Sequence, residues 1–178
     1  MLSKRLRQLR NEQGLTLADV ARQSGLSTAM VSHVERGQVD PSLESLRRLA
    51  QTLGVPLFEL FREEDDAPIT VVRHNERRSI SNSENGITYS LASRAGGSLE
   101  LLEATLPAGE PSTPELRSHK SEECVLVQRG SLTVEFRNQT VVLEEGDSCH
   151  FDSILPHRFL NQTNEPVLYL VAVSPPSI

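Results

Sequence analysis

The stretch "TLADVARQSGLSTAMVSHVERG", Thr16 to Gly37, reads as two short helices and the turn between them. Thr16 is placed to cap the first helix, with Asp19 three residues on in a near capping box, and Leu15 and Val20 occupy the staple positions around it. Gly25 ends that helix. The pattern then repeats: Ser27 caps, Leu26 and Val31 staple, and Gly37 terminates. Ala21 is small where the two helices must approach each other. Val20, Leu26, Val31 and Val34 supply the apolar contacts between them. A generic bundle would also be amphipathic, but it would not need all of these features together.

Two short helices joined by a tight glycine turn make the helix-turn-helix pattern. Its flanks are helical as well. Leu2, Leu6 and Leu9 recur at helical spacing from near Ser3, and Gly14 is placed to close that helix. Downstream, "DPSLESLRRLAQTLG" offers Asp40 as a cap and Pro41 as the first helical residue, with Leu43, Leu46, Ala50 and Leu53 as the buried face. "VPLFELF", Val55 to Phe61, predicts a short fifth helix.

Over residues 1–62 the chain resembles the Cro/phage-repressor-like (XRE-type) DNA-binding family, through "LRQLRNEQGLTLADVARQSGLSTAMVSHVERGQVDPSLESLRRLAQTLGV". The resemblance implies that Ser27 to Arg36 is the recognition helix. Ser27 opens it, and Thr28, Ala29, Ser32 and His33 would face base edges in the major groove. Thr16 and Gln38 would lie near phosphates, where helix N-termini help. For His33 a phosphate contact stays open beside a base contact. The family's pairing of an arginine in the first helix with a glutamate in the third falls on Arg10 and Glu35. That pair orients helices and reads no bases. So small a surface binds weakly alone, and operators are usually read by two copies across a two-fold axis. A dimerising element is therefore expected elsewhere in the chain.

The 178 residues allow one medium domain or two small ones. No apolar run approaches the roughly 18 residues of a membrane span. The charged, periodic N-terminus lacks the apolar core of a signal peptide. Cys124 and Cys149 match no zinc spacing and are too few for a disulfide scaffold, so reduced thiols and a cytoplasmic location are expected. Charge is uneven. Residues 1–62 carry nine Lys/Arg and six Asp/Glu, whereas 67–178 carry nine and fourteen. Sequence-blind binding of nucleic acid by the whole chain is thereby disfavoured, while the basic N-terminal part remains suited to it.

"REEDDAP", Arg62 to Pro68, is charged and ends in proline, and it reads as an acidic, solvated linker over 63–68. Beyond it the period changes. "ITVVR", "ITYSLAS", "SLELLEATL", "CVLVQ", "SLTVEFR", "TVVLEE", "SCHFD", "RFLNQ" and "VLYLVAVS" are short runs rich in Val, Ile, Leu, Thr and aromatics. In "SLTVEFR", Leu132, Val134 and Phe136 alternate with polar residues. Turn signals separate the runs, and no convincing helix intervenes. Residues 69–178 are thus expected to form an all-β sandwich or barrel.

Two segments there, "SHKSEECVLVQRGSLTV" and "LEEGDSCHFDSILPHRFLNQT", resemble the two motifs of the cupin family, a small double-stranded β-barrel. The first usually runs His-x-His, three or four residues, Glu, six residues, Gly. Here it is Arg117-x-His119, Glu123, Gly130. The second places Gly146, Pro156, His157 and Asn161 on the family's Gly, Pro-His and Asn.

The cupin metal normally has three histidines and a glutamate. This chain offers His119, Glu123 and His157, a 2-His-1-carboxylate set suited to a divalent ion such as Fe, Zn, Ni or Mn. On a straight strand His119 and Glu123 would stand about 13 Å apart, at about 3.3 Å per residue. They can share a metal only if the chain bends between them, with the strand starting at Glu123. A metal-free pocket in which these residues bind an organic ligand, and a structural role, stay open. Arg117 favours an anionic effector if it faces the pocket, and Tyr89 and His150 are further pocket candidates. Cys124 should point away from Glu123. The expected protein is a transcriptional regulator of two domains: an all-α, five-helix bundle that binds double-stranded operator DNA, and a cupin unit that senses a small molecule or metal and makes the homodimer. No membrane partner is expected. The rival class is an enzyme, because an iron-dependent hydroxypropylphosphonate epoxidase family joins the same two domains and uses the same ligand pattern. The small and polar outer face of the recognition helix favours the regulator.

Overall fold

The computed structural model describes residues 2–62 and 69–176. The acidic stretch at 63–68 lies outside them. The chain divides into two compact units, 1–70 and 71–177.

The N-terminal unit has four α-helices: α1 (Leu2–Glu12), α2 (Leu17–Ser24), α3 (Thr28–Glu35) and α4 (Leu43–Thr52). Their faces bury Leu6, Leu9, Val20, Val31, Val34, Leu43, Leu46, Leu49 and Leu53 in one core. The local chemistry follows the sequence closely. Thr16 and Asp19 form a reciprocal capping box at the start of α2. Gly25 closes α2 at φ 67°, and its N–H donates to the Ala21 carbonyl. A residue with a Cβ would be strained at that angle. Ala21 is buried in the core.

Two expectations need correction. Among the described residues there is no fifth α-helix, because Leu57–Phe61 forms a 3-10 turn. Pro56 precedes a run of only five residues, enough to bury Phe58 and Leu60 but too short for a helix to propagate. Buried Glu59 ties this turn to α1 through an ion pair with Arg5. The cap of α4 is Ser42 rather than Asp40. The Ser42 Oγ accepts the Ser45 N–H at 3.2 Å, so Pro41 precedes the cap.

The C-terminal unit is all β among its described residues, apart from one 3-10 turn at His74–Glu76. Its strands are β1 (Ser79–Ser81), β2 (Thr88–Leu91), β3 (Glu100–Leu106), β4 (Glu122–Arg129), β5 (Leu132–Phe136), β6 (Thr140–Leu143), β7 (Ser148–Asp152), β8 (His157–Leu160) and β9 (Val167–Ser174). They form a six-stranded antiparallel sheet, β1-β2-β3-β9-β4-β7, and a three-stranded one, β6-β5-β8. Ring contacts Phe136–Phe151 and Phe159–Tyr169 join the two sheets across a shared apolar core. Gly130, at the β4–β5 turn, takes φ 91°, which only glycine adopts without strain.

"ITVVR" is not a strand. Its segment pairs with no neighbour, and Ile69 and Val71 are exposed. The polar strand β1 was not expected. Its Ser79 and Ser81 hydroxyls bond across to Ser90 and Thr88 on the exposed face, while Ile80 between them is buried. Among the described residues, no helix is long and apolar enough to cross a membrane.

Candidate nucleic-acid interface and candidate metal centre

In the N-terminal unit, the α3 cap Ser27 and Thr28, Ala29 and His33 of α3 are exposed, and Ser32 is half-buried. They stand opposite Val31 and Val34, which anchor α3 in the core. The Ser27 Oγ accepts the Met30 N–H at 3.1 Å as the helix cap. Gln38 is exposed just past Gly37, with its N–H on the His33 carbonyl. Thr16 is more committed than the sequence suggested. Its N–H and its hydroxyl both donate to the Asp19 carboxylate, at 3.0 and 2.6 Å. What α2 offers an anion at this end is therefore its first backbone N–H groups, which no helical carbonyl reaches.

Arg10 and Glu35 make a two-pronged ion pair. Arg10 Nε donates to Oε1 at 2.6 Å, Nη2 donates to Oε2 at 3.0 Å, and Nη1 donates to the Leu15 carbonyl at 2.9 Å. Donating to the Glu35 carboxylate holds the guanidinium above its ordinary pKa. One planar cation thus ties α1, the approach to α2, and α3, which sets the angle at which α3 is presented.

In the C-terminal unit, β4 begins at Glu122, and the chain bends through 117–121 before it. The bend is pinned by backbone bonds: His119 N–H to the Ser153 carbonyl, Ser153 N–H to the Ser121 carbonyl, and a reciprocal pair between Arg117 and His157. It brings His119 Nε2 to 2.8 Å from Glu123 Oε1, while His157 Nε2 lies 3.3 Å from the same oxygen. The ligand atoms of all three residues lie within 4.8 Å of one another. The His157 Nδ1 is 2.8 Å from the Leu155 carbonyl, so it carries the proton there, and Nε2 is directed at Glu123. Ser153 Oγ donates to Glu123 Oε1 at 3.0 Å in a fully buried bond. Phe136, Phe151 and Phe159 wall His157 at 6.4, 4.8 and 6.1 Å.

Burial alone would push the Glu123 carboxyl up. The hydrogen bonds and charges of His119 and His157 outweigh it and hold the group at about 2. For His157, burial lowers the pKa, but the bonds to Glu123 and to the Leu155 carbonyl prevail and raise it. A lone pair on His157 Nε2 faces an anionic oxygen, so this geometry calls for a cation between them, either a proton or a metal. Two ligand atoms about 2.1 Å from one metal and at right angles stand about 3.0 Å apart. The observed 2.8 and 3.3 Å match that spacing, so the donor set fits a divalent ion.

The remaining candidates divide. Arg117 sits directly across the ladder from His157, hence on the same face, but it is exposed at the rim. Tyr89 faces the interior, in a row with Ala104 and Tyr169. His150 does not face it. It pairs with Cys124 on the outer face, where both are exposed, so it is no part of this site. Sequence reasoning missed Ser153 and the Leu155 carbonyl. A serine in a turn carries no signal of its partner thirty residues away.

The helix-turn-helix family pattern matches residues 6–60 and the cupin domain pattern matches residues 102–173. The HTH-type transcriptional regulator PuuR of Escherichia coli is 28% identical over 98% of this chain and 94% of its own length. The uncharacterized HTH-type transcriptional regulator y4dJ of Sinorhizobium fredii is 43% identical over 34% of this chain and 78% of its own length. Among solved structures, an HTH_3 family transcriptional regulator from Vibrio cholerae superposes with a TM-score of 0.69 at 25% identity, covering 99% of this chain and 96% of that one. Hydroxypropylphosphonic acid epoxidase from S. wedmorenis shares the fold, with a TM-score of 0.52 at 21% identity over 97% and 96%. Helix-turn-helix unit and cupin unit together define a DNA-binding regulator. The chain belongs to the helix-turn-helix transcriptional regulators that carry a C-terminal cupin domain.

Proposed function

We propose that this regulator reads operator DNA as a homodimer and that its cupin unit sets operator affinity by binding a small effector, with His119, Glu123 and His157 holding a divalent metal. Residues 1–62 serve as the DNA-binding domain, 63–68 as the linker and 69–178 as the sensing and dimerising domain, in the cytoplasm. The observation that carries the sensory reading is the convergence of two histidine nitrogens on one oxygen of a buried, ionised Glu123. A bound divalent ion would supply a Lewis-acidic centre that attracts an effector oxygen. Ser153 and the Leu155 carbonyl hold the ligand residues in place. Thr28, Ala29, Ser32 and His33 supply the base-facing surface, and Ser27, Gln38 and the α2 N-terminus the phosphate-facing one.

The dimer surface we assign is the outer face of the six-stranded sheet. Strand β9, "VLYLVAVS", is apolar on both faces, the pattern of a strand covered on both sides. Its Leu168, Leu170 and Ala172 face outward beside Leu101 and Leu126, and Leu126 is 38% exposed. A second copy supplies the cover, because a two-fold operator needs two chains. An effector that favours one dimer geometry then changes how the two α3 helices match adjacent major grooves. An enzymatic role is not part of this reading. The test is metal analysis of the purified full chain together with operator binding before and after chelation. Wild type should carry one equivalent of metal and His157→Ala none, and chelation should shift operator affinity. Metal-free wild type under every loading condition contradicts the metal reading.

A further inference from the structure

On the inner face of the six-stranded sheet, one cross-strand row reads Tyr89, Ala104, Tyr169, Val127. Residues directly opposite in an antiparallel ladder share a face. Both phenols therefore point inward on either side of Ala104, whose side chain is a single methyl. Tyr169 is 0% exposed and is the largest fully buried side chain of the chain's described residues. Tyr89 is half-buried, so solvent reaches this row from its side.

Buried tyrosine hydroxyls are normally satisfied. The Tyr169 Oη makes no hydrogen bond of normal geometry within the protein, although Tyr89 is a near neighbour. Burial first, and then Tyr89 and the negative charge of Glu123, raise its pKa well above the ordinary value, so it remains a proton donor. Its ring packs on Phe159 at 5.3 Å, and Phe159 lies 6.1 Å from His157. The hydroxyl is thus one ring removed from the His-Glu-His cluster, and Glu123 acts on it through the barrel interior.

We propose that Tyr169 is a specificity-determining residue of the effector site, donating its hydroxyl proton to an oxygen of a small aliphatic carboxylate whose other oxygens are drawn to the centre at His119, Glu123 and His157. The inference rests on the effector-binding reading of the C-terminal unit. The charge balance selects the anion, since a divalent ion beside the single carboxylate of Glu123 leaves one net positive charge. Phe136, Phe151 and Phe159 receive the aliphatic part of the ligand, and the Tyr169 hydroxyl checks that an acceptor oxygen lies at the right depth. A ligand without that oxygen would leave the hydroxyl buried without an acceptor, which is how such a group discriminates.

The test compares the full-length wild type with Tyr169→Phe, which removes one oxygen and little volume. Calorimetric titration with 2-hydroxybutyrate is run on the Co2+-loaded protein and again in the presence of a chelator. The variant should bind about tenfold more weakly in whichever condition the wild type binds, the size of one buried hydrogen bond. Its thermal midpoint should be unchanged or higher, because no hydrogen bond inside the protein is lost. Equal affinity, or a fall in thermal midpoint with affinity unchanged, would overturn the proposal. So would the absence of 2-hydroxybutyrate binding by wild type in both conditions. Retained acid binding with no uptake of Co2+ contradicts the metal reading alone and still measures the role of Tyr169.

Discussion

Glu123→Gln isolates the electrostatic contribution of the candidate centre. The amide keeps the size of the carboxylate but not its charge. In the metal-free protein Glu123 is held at about 2. The gap from an ordinary glutamate at ~4.3 corresponds to a preference for the ionised form on the order of 3 kcal/mol, at about 1.4 kcal/mol per pKa unit. A folded value below the unfolded one gives stability that is complete above pH ~4.3 and lost as pH falls to about 2. His157 is displaced the other way. Its contribution is complete below pH ~6.5 and lost as pH rises through its raised folded value. The advantage of wild type over Glu123→Gln should therefore peak between about pH 5 and 6.5 and close towards pH 2. At the peak it should reach roughly 10 °C in the thermal midpoint of the C-terminal unit, at roughly 4 °C per kcal/mol. Thermal unfolding of both proteins in chelator, from pH 2 to 8, measures it. A difference that does not vary with pH, or no difference at pH 6, would refute the reasoning, since either would mean that the histidines do not act on the carboxylate.

Other consequences follow from the same structure. Glu35→Ala leaves the Arg10 guanidinium with only the Leu15 carbonyl and should cost about 3 kcal/mol in urea unfolding of the N-terminal unit, while Arg10→Met with Glu35→Leu should recover most of that loss. Equal losses in the two variants would show that packing, not pairing, carries the effect. Leu170→Glu places a charge in the middle of the outer sheet face. Light scattering should find the variant monomeric, with operator affinity falling along with it, and an intact dimer would move the interface elsewhere.

The helical unit was legible nearly residue by residue because its signals are local. The Thr16–Asp19 box, the glycine at 25 and the Arg10–Glu35 pair all follow from short spacings or from a family pattern that keeps them. The α4 cap is Ser42 rather than Asp40 because two nearby residues offer equivalent capping oxygens and local spacing alone does not choose between them. The fifth helix became a 3-10 turn because five residues cannot offset the cost of nucleating a helix. In the sheets, the short apolar runs identified β2 to β9, but they misled at "ITVVR", which pairs with no strand among the described residues, and they missed β1, whose hydroxyls act through their partners. The site shows the same division. His119, Glu123 and His157 were readable from motif spacing, and the expected bend before β4 is present. Which way Tyr89 and His150 face depends on register across strands far apart in sequence, which no local pattern fixes.

Whether α3 reads DNA is decided by footprinting the full-length protein on an operator selected from random-sequence DNA. Wild type should protect two half-sites about one helical turn apart. Thr28→Ala with His33→Ala should abolish that protection while leaving the thermal unfolding profile unchanged, since both residues are exposed. An undiminished footprint from the double variant would contradict the assignment of α3 as the recognition helix.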